Sequence, residues 1–157
     1  MTEKELNIKF REYTSIDELP KEDQELAHAA VEAMKGSYAP YSKFNVGAAL
    51  RLSNGIIVKG ANQENNAYPS GLCAERTAMF WAGANYPDEA MLSIAIAGGL
   101  GGQLEESPAT PCGACRQVMA QYQMKSGRPM SVIMIGSRHI WKFDRVDYIL
   151  PLIFDSI

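Results

Sequence analysis

The chain has 157 residues, of which 15 are lysine or arginine and 18 are aspartate or glutamate, giving a net charge of −3 at pH 7. This length favours one domain that is large enough to bury a hydrophobic core. The acidic balance argues against nucleic acid as the main partner, because nucleic-acid binding depends on clustered basic side chains. The sequence has no apolar run of about 18 residues that would span a membrane.

The amino-terminal stretch MTEKELNIKF lacks the apolar core of a signal peptide. We therefore expect a cytoplasmic protein whose thiols stay reduced. Three cysteines are an odd number, which does not suit a closed disulfide framework. In that compartment the cysteines predict metal binding or catalysis.

The first half of the chain predicts a strand, a helix and a hairpin. Apolar residues alternate over residues 6–13 and suggest a short additional strand within an amino-terminal extension, residues 1–14. An apolar stripe predicts a helix from Pro20 that ends at Gly36. The strand-like stretches FNVGAALRL and IIVKGA flank a Ser-Asn-Gly turn at positions 53–55, a strong signal for a β-hairpin.

The second half alternates helices with buried strands. Helices are predicted over about residues 73–84 and 112–123, and strands in MLSIAIAGG, MSVIMIG and HIWKF. Only three residues separate the last two strands, whereas parallel neighbours need a crossover of about a dozen or more. These two strands should therefore form an antiparallel hairpin. The order of elements predicts one three-layer α/β/α domain over residues 1–157, with a mixed five-stranded sheet.

All three cysteines fall at the starts of predicted helices, Cys73 at one and Cys112 and Cys115 at the other. The amino end of a helix presents free N–H groups and a positive dipole, which favour thiolates. Three thiolates suit a tetrahedral Zn²⁺ ion, and neither His28 nor His139 has ligand spacing to them. A structural zinc has four protein ligands, while a catalytic zinc keeps one position for water. The sequence therefore predicts one catalytic zinc ion per chain.

Glu75 is the predicted proton carrier of this site. Residues i and i+2 of a helix do not share a face, so Glu75 need not bind the metal that Cys73 binds. It can instead exchange a proton with the reacting water. Arg76 and Arg116 each follow a cysteine, and we expect them to donate hydrogen bonds to sulfur and offset the charge of three thiolates. The pairing of Cys-Ala-Glu with Pro-Cys-Gly-Ala-Cys is typical of zinc base deaminases.

The sequence resembles the small, homotetrameric, zinc-dependent type of cytidine deaminase. The resemblance extends over about residues 27–154 and is carried by YAPYSKFNVGAAL, NQENNAY, CAERTA and SPATPCGACRQVM. It implies a cytidine-deaminase-like fold and a hydrolase of pyrimidine salvage that converts cytidine and deoxycytidine to uridine and deoxyuridine with release of ammonia. It also implies a homotetramer with sites at the subunit interfaces.

The resemblance assigns roles to particular residues. Zinc would be held by Cys73, Cys112 and Cys115, with Glu75 as proton shuttle and Arg76 and Arg116 neutralising the thiolates. Phe44 would pack on the pyrimidine, Asn62 and Glu64 would bind the ribose 3′-hydroxyl, and Phe154 would reach a neighbouring subunit's site. The residues expected to bind substrate are thus Phe44, Asn62, Glu64, Ala74 and Phe154. No role is assigned to residues 1–14, or to the acidic loop at 98–110.

Two other functions stay open at the level of sequence. One is a deaminase for another aminated heterocycle, such as a blasticidin-type nucleoside antibiotic, although Asn62 and Glu64 favour a ribose. The other is a non-enzymatic, zinc-stabilised interaction module, which predicts a closed site with four protein ligands. Related deaminases of RNA or DNA place a helix between the last two strands. The three-residue turn in this chain therefore favours a free nucleoside.

Overall fold

The computed structural model describes residues 1–155, so the last two positions of the predicted domain, Ser156 and Ile157, lie outside the described residues. Within residues 1–155 the chain forms three α-helices: α1 (Lys21–Ala33), α2 (Ala74–Asn85) and α3 (Gly113–Ser126). The same range forms six strands: β1 (Arg11–Tyr13), β2 (Phe44–Leu52), β3 (Ile57–Ala61), β4 (Met91–Leu100), β5 (Ser131–Ile135) and β6 (Ile140–Phe143). None of the helices in this range is long and apolar enough to cross a membrane.

The strands form one mixed sheet in the order β1-β6-β5-β4-β2-β3. Strands β4 and β5 run parallel and are joined through α3, while the other neighbours are antiparallel. The antiparallel pairing of β5 with β6 places Ile135 opposite Ile140, which confirms the predicted last hairpin. The predicted β2–β3 hairpin is also confirmed, and its turn uses Gly55 at a φ of +87°, a conformation that favours glycine.

The predicted number of five strands is wrong, because β1 adds a sixth at the edge of the sheet. β1 pairs with β6 over residues 11–13 only, although the alternating pattern begins at Leu6. Since β6 ends at Phe143, which this register places opposite Phe10, the residues before Phe10 have no part of β6 to pair with. The ring of Phe10 nevertheless stacks on that of Phe143, with the ring centroids 5.1 Å apart.

The helices cover both faces of the sheet, as the three-layer prediction requires. Alternate residues of a strand point to opposite faces, and along β4 the residues Ile94 and Ile96 pack with α2 and α3. Ala95 and Ala97 lie on the other face, against α1. The core therefore has two parts, and the side that contains α2 and α3 also carries the cysteines.

Candidate metal centre

Helices α2 and α3 begin next to each other, and a cysteine stands at the start of each. Cys73 is the residue that caps α2, and Cys112 caps α3. A glycine in β3 permits this arrangement, since a Cβ atom at Gly60 would lie 2.5 Å from the carbonyl oxygen of Ala74. The first turn of α2 can approach the sheet this closely only where the strand has no side chain.

The three cysteine sulfurs form a compact triangle. The Sγ atoms of Cys73, Cys112 and Cys115 all lie within 4.8 Å of one another, and those of Cys73 and Cys112 are 3.8 Å apart. Zinc–sulfur bonds of about 2.3 Å in tetrahedral geometry place two sulfurs about 3.8 Å apart. In residues 1–155 this is the one group of three or more cysteine, histidine or acidic side chains close enough to share a metal ion. The triangle therefore fits zinc.

The environment of the triangle favours a thiolate at Cys73. Hydrogen bonding with the Cys115 thiol and with the Arg76 guanidinium lowers the pKa of Cys73 to about 5. The Nη2 atom of Arg76 lies 3.6 Å from the Cys73 sulfur. The pKa of Cys115 is raised by its hydrogen bond to Cys73 and by burial. The Arg76 guanidinium therefore contacts one of the three cysteine sulfurs.

Glu75 lies in the first turn of α2 and is 3% exposed. Burial raises the pKa of Glu75 to about 7, and the nearby charge of Cys73 acts in the same direction. A carboxyl group with a pKa near neutrality can both accept and release a proton. Glu75 is thus held beside the sulfur triangle without belonging to it.

A cleft of about 230 Å³ lies between Cys73, one member of the sulfur triangle, and the polar loop that precedes α2. Its lining includes Arg76 of α2 and, from the loop, Asn62, Glu64 and Tyr68. The structure therefore brings two of the residues expected to bind ribose into the same cleft as a predicted zinc ligand.

Asn62 also organises the start of β2. Its Oδ1 atom accepts a hydrogen bond from the backbone amide of Val46 at 2.8 Å, and its Nδ2 atom donates to the carbonyl of Phe44 at 2.9 Å. The ring of Phe44 lies over Gly98, where a Cβ atom would be 3.1 Å from a ring carbon. Asn62 thus sets the backbone position of Phe44, the predicted pyrimidine platform.

Residues 20–127, more than half of the chain, match the family model of the cytidine and deoxycytidylate deaminase zinc-binding region. The chain belongs to this family. It is 43% identical over 98 residues to the cytidine deaminase of Halalkalibacterium halodurans, which covers 62% of this chain and 70% of that protein. It is 41% identical over 99 residues to the cytidine deaminase of Sporosarcina psychrophila, covering 63% of this chain and 68% of that protein.

Solved structures of the deaminase family share the fold. The cytidine deaminase of Burkholderia pseudomallei superposes with a TM-score of 0.72 and 36% sequence identity, covering 83% of this chain and 97% of that one. The family prediction, the fold class and zinc as the cofactor are thereby confirmed.

The hydrogen-bond partners of Arg116 differ from the expected cysteine sulfur. Within residues 1–155 its guanidinium donates to two backbone carbonyls, from Nε to Pro111 at 2.8 Å and from Nη1 to Ile149 at 3.1 Å. The structure therefore gives Arg116 backbone partners in place of the expected sulfur. The sequence did not reveal this, because Ile149 is distant along the chain.

Two further residues, Ala74 and Phe154, were predicted to bind substrate. Ala74 follows Cys73 directly and is fully buried. Phe154 is 68% exposed and does not line this cleft; its carbonyl accepts a hydrogen bond from Gln117 of α3 at 2.8 Å. Sequence reasoning missed Tyr68, although an aromatic residue in a turn-rich loop just before Cys73 was an available signal.

Proposed function

We propose that this protein catalyses the zinc-dependent hydrolytic deamination of cytidine and deoxycytidine to uridine and deoxyuridine, with release of ammonia. The observation that carries the proposal is the triangle of three cysteine sulfurs within 4.8 Å, beside the buried carboxyl group of Glu75. Cys73, Cys112 and Cys115 would hold zinc with three protein ligands, the number typical of catalytic zinc sites, in which water is bound as well. The similarity to proteins named cytidine deaminase supports the substrate.

The proposed reaction depends on proton transfer by Glu75. When bound, zinc lowers the pKa of a water molecule toward about 7 and so makes a nucleophile available at neutral pH. Glu75 takes one proton from the attacking water and delivers it to N3 of the pyrimidine. The water oxygen forms a bond to C4, the C4–N4 bond breaks, and Glu75 passes the second water proton to the departing amine. The products are the uracil nucleoside and ammonia, so atoms and charges balance.

The proposed substrate contacts involve five residues, two of which line the cleft. Asn62 and Glu64, which line the cleft, bind the ribose 3′-hydroxyl. Phe44, whose backbone Asn62 holds, lies outside the lining of this cleft and packs on the pyrimidine. Ala74 and Phe154 complete the proposed contacts, Phe154 by reaching the site of a neighbouring subunit. Arg76 offsets the charge of the thiolates through its contact with Cys73.

We further propose that the chain forms a single cytidine-deaminase-like domain, which assembles into a cytoplasmic homotetramer and acts in pyrimidine salvage. Its exposed aromatic side chains, Phe80, Trp81 and Phe154, support burial between subunits. Sedimentation of the full chain tests the assembly: a tetramer supports it, and a stable monomer with full activity contradicts it.

The function is tested by measuring ammonia release from cytidine, deoxycytidine, deoxycytidylate and a blasticidin-type nucleoside, with and without a zinc chelator. We expect release from cytidine and deoxycytidine, one zinc ion per chain, and loss of both zinc and activity in Cys112→Ala. Ammonia release from the blasticidin-type nucleoside alone would favour the alternative function, a deaminase of that antibiotic. A purified chain without zinc would contradict the proposal.

A further inference from the structure

Arg116 bridges two segments that are distant in sequence. Its planar guanidinium donates to the carbonyl of Pro111 and to that of Ile149, at 2.8 and 3.1 Å. Pro111 immediately precedes Cys112, the residue that caps α3. Because the guanidinium donors have fixed directions, one side chain sets the spacing between the two carbonyls.

A second polar side chain of α3 clamps the same carboxy-terminal segment. Gln123 is 7% exposed, and its Oε1 atom accepts hydrogen bonds from the backbone amides of Met130 at 3.0 Å and Val146 at 3.1 Å. Its Nε2 atom donates to the carboxylate of Asp147 at 2.8 Å. Gln123 lies seven residues after Arg116, so both side chains project from one face of the helix. Residues 146–149 are therefore held at two points.

We propose that Arg116 is a positioning residue that couples the carboxy-terminal segment to the metal centre. By fixing the carbonyl of Pro111, Arg116 sets the position of Cys112, whose sulfur must stay about 3.8 Å from that of Cys73 to share a zinc ion. The carboxy-terminal segment thereby becomes a structural part of the zinc site. The inference rests on the proposed zinc ligands, and it assigns Arg116 a role other than charge compensation.

The two roles of Arg116 predict different behaviour for lysine at this position. A lysine keeps the positive charge but lacks the planar fork that spans two carbonyls. If charge compensation is the role, Arg116→Lys should keep the zinc affinity and Arg116→Gln should lose it. If positioning is the role, both variants should lose affinity.

The experiment measures zinc affinity of the full chain by competition with a chromophoric chelator. We expect Arg116→Gln and Arg116→Lys each to weaken zinc binding at least about 10-fold, the lower end for residues that orient metal ligands. The matched control is Arg138→Gln, which removes an exposed arginine whose ion pair with Glu106 measures 3.7 Å. The control should bind zinc as the wild type does. Wild-type-like affinity in Arg116→Gln, or a loss of less than about threefold in Arg116→Lys, overturns the proposal.

A second variant tests the coupling to the carboxy-terminal segment. Gln123→Met removes the clamp on Val146 without touching a cysteine or Pro111, and we expect it also to weaken zinc binding. A folded Gln123→Met protein with wild-type affinity overturns the coupling; if this variant does not fold, Arg116→Lys decides. Failure of the wild type to bind zinc refutes the proposed function, whereas a zinc-loaded wild type with unaffected variants refutes only this inference.

Discussion

The carboxylate of Glu64 accepts a hydrogen bond from the backbone amide of Tyr41 at 2.9 Å, which joins the loop before β2 to the loop after β3. The amide of Ser42 donates to the same oxygen at 3.2 Å. Hydrogen bonding from Ser42, together with that from Tyr41, lowers the pKa of Glu64. Glu64 therefore stays ionised at neutral pH and can accept a hydrogen bond from a substrate hydroxyl at the cleft.

We expect Glu64→Gln to lower kcat/KM for cytidine by about 10- to 100-fold, mainly through KM, because a hydrogen bond to a charged group is lost. Steady-state kinetics measures the effect. The matched control is Glu18→Gln, since the Glu18 carboxylate also accepts from a backbone amide, that of Thr14 at 2.8 Å, but lies outside the cleft. Equal kcat/KM values in the two variants would show that Glu64 does not bind the substrate.

Asp23 of α1 and Lys142 of β6 form a buried ion pair, with side chains 6% and 14% exposed. Asp23→Ala should lower the free energy of unfolding by about 3 kcal/mol, because it leaves a buried ammonium group without its partner. Urea denaturation measures the change. Glu32→Gln breaks the exposed pair with Lys59 and should leave the stability nearly unchanged. A similar loss in both variants would show that the burial of the first pair does not matter.

Asp147 contributes stability that depends on pH. The ion pair with Arg145 and the hydrogen bond from Gln123 lower the pKa of Asp147 in the folded state. Its contribution is therefore complete above the ordinary aspartate pKa of about 3.9 and is lost as the pH falls through the folded value.

Urea denaturation of Asp147→Asn at several pH values measures this contribution. The variant should be less stable than the wild type at pH 7, by a small amount because the side chain is partly exposed. The difference should shrink below about pH 4. Asp88→Asn, at an exposed aspartate, serves as control. A stability difference between wild type and Asp147→Asn that grows on acidification would contradict a lowered pKa of Asp147 in the folded state.

The strand β1 covers an edge of the sheet without taking part in the site. Removal of residues 1–13 should lower the free energy of unfolding by about 1–3 kcal/mol, since the aromatic pairs of Phe10 with Trp141 and Phe143 are lost. The exposed edge of β6 should also promote aggregation. We expect kcat/KM per folded molecule to stay unchanged. A stable, zinc-loaded truncated protein with reduced kcat/KM would show that the extension acts on catalysis.

The elements that position the cysteines could be predicted from local signals. The predicted helix starts at Cys73 and Cys112 lie within one residue of the observed starts, Ala74 and Gly113. Turn-rich loops and apolar stripes mark helix ends clearly. The three-residue connection between β5 and β6 allowed only a hairpin. These features depend on residues that are near one another in the chain.

The features that sequence could not provide depend on distant partners. Pairing of β1 with β6 joins Arg11 to Lys142, and no local pattern specifies that register. Arg116 was expected to contact sulfur because it follows Cys115, yet the carbonyl of Ile149 receives one of its donors. A guanidinium has five donors and several possible partners, so its choice becomes visible only in three dimensions.

The central claim is that Glu75 moves the protons while the three cysteines hold zinc. The most direct measurement is ammonia release from cytidine by Glu75→Gln, with zinc content determined on the same preparation. We predict one zinc ion per chain and a rate reduced by at least about 100-fold, the lower range for a general acid–base group. A Glu75→Gln protein that retains zinc and deaminates cytidine at the wild-type rate would contradict the claim.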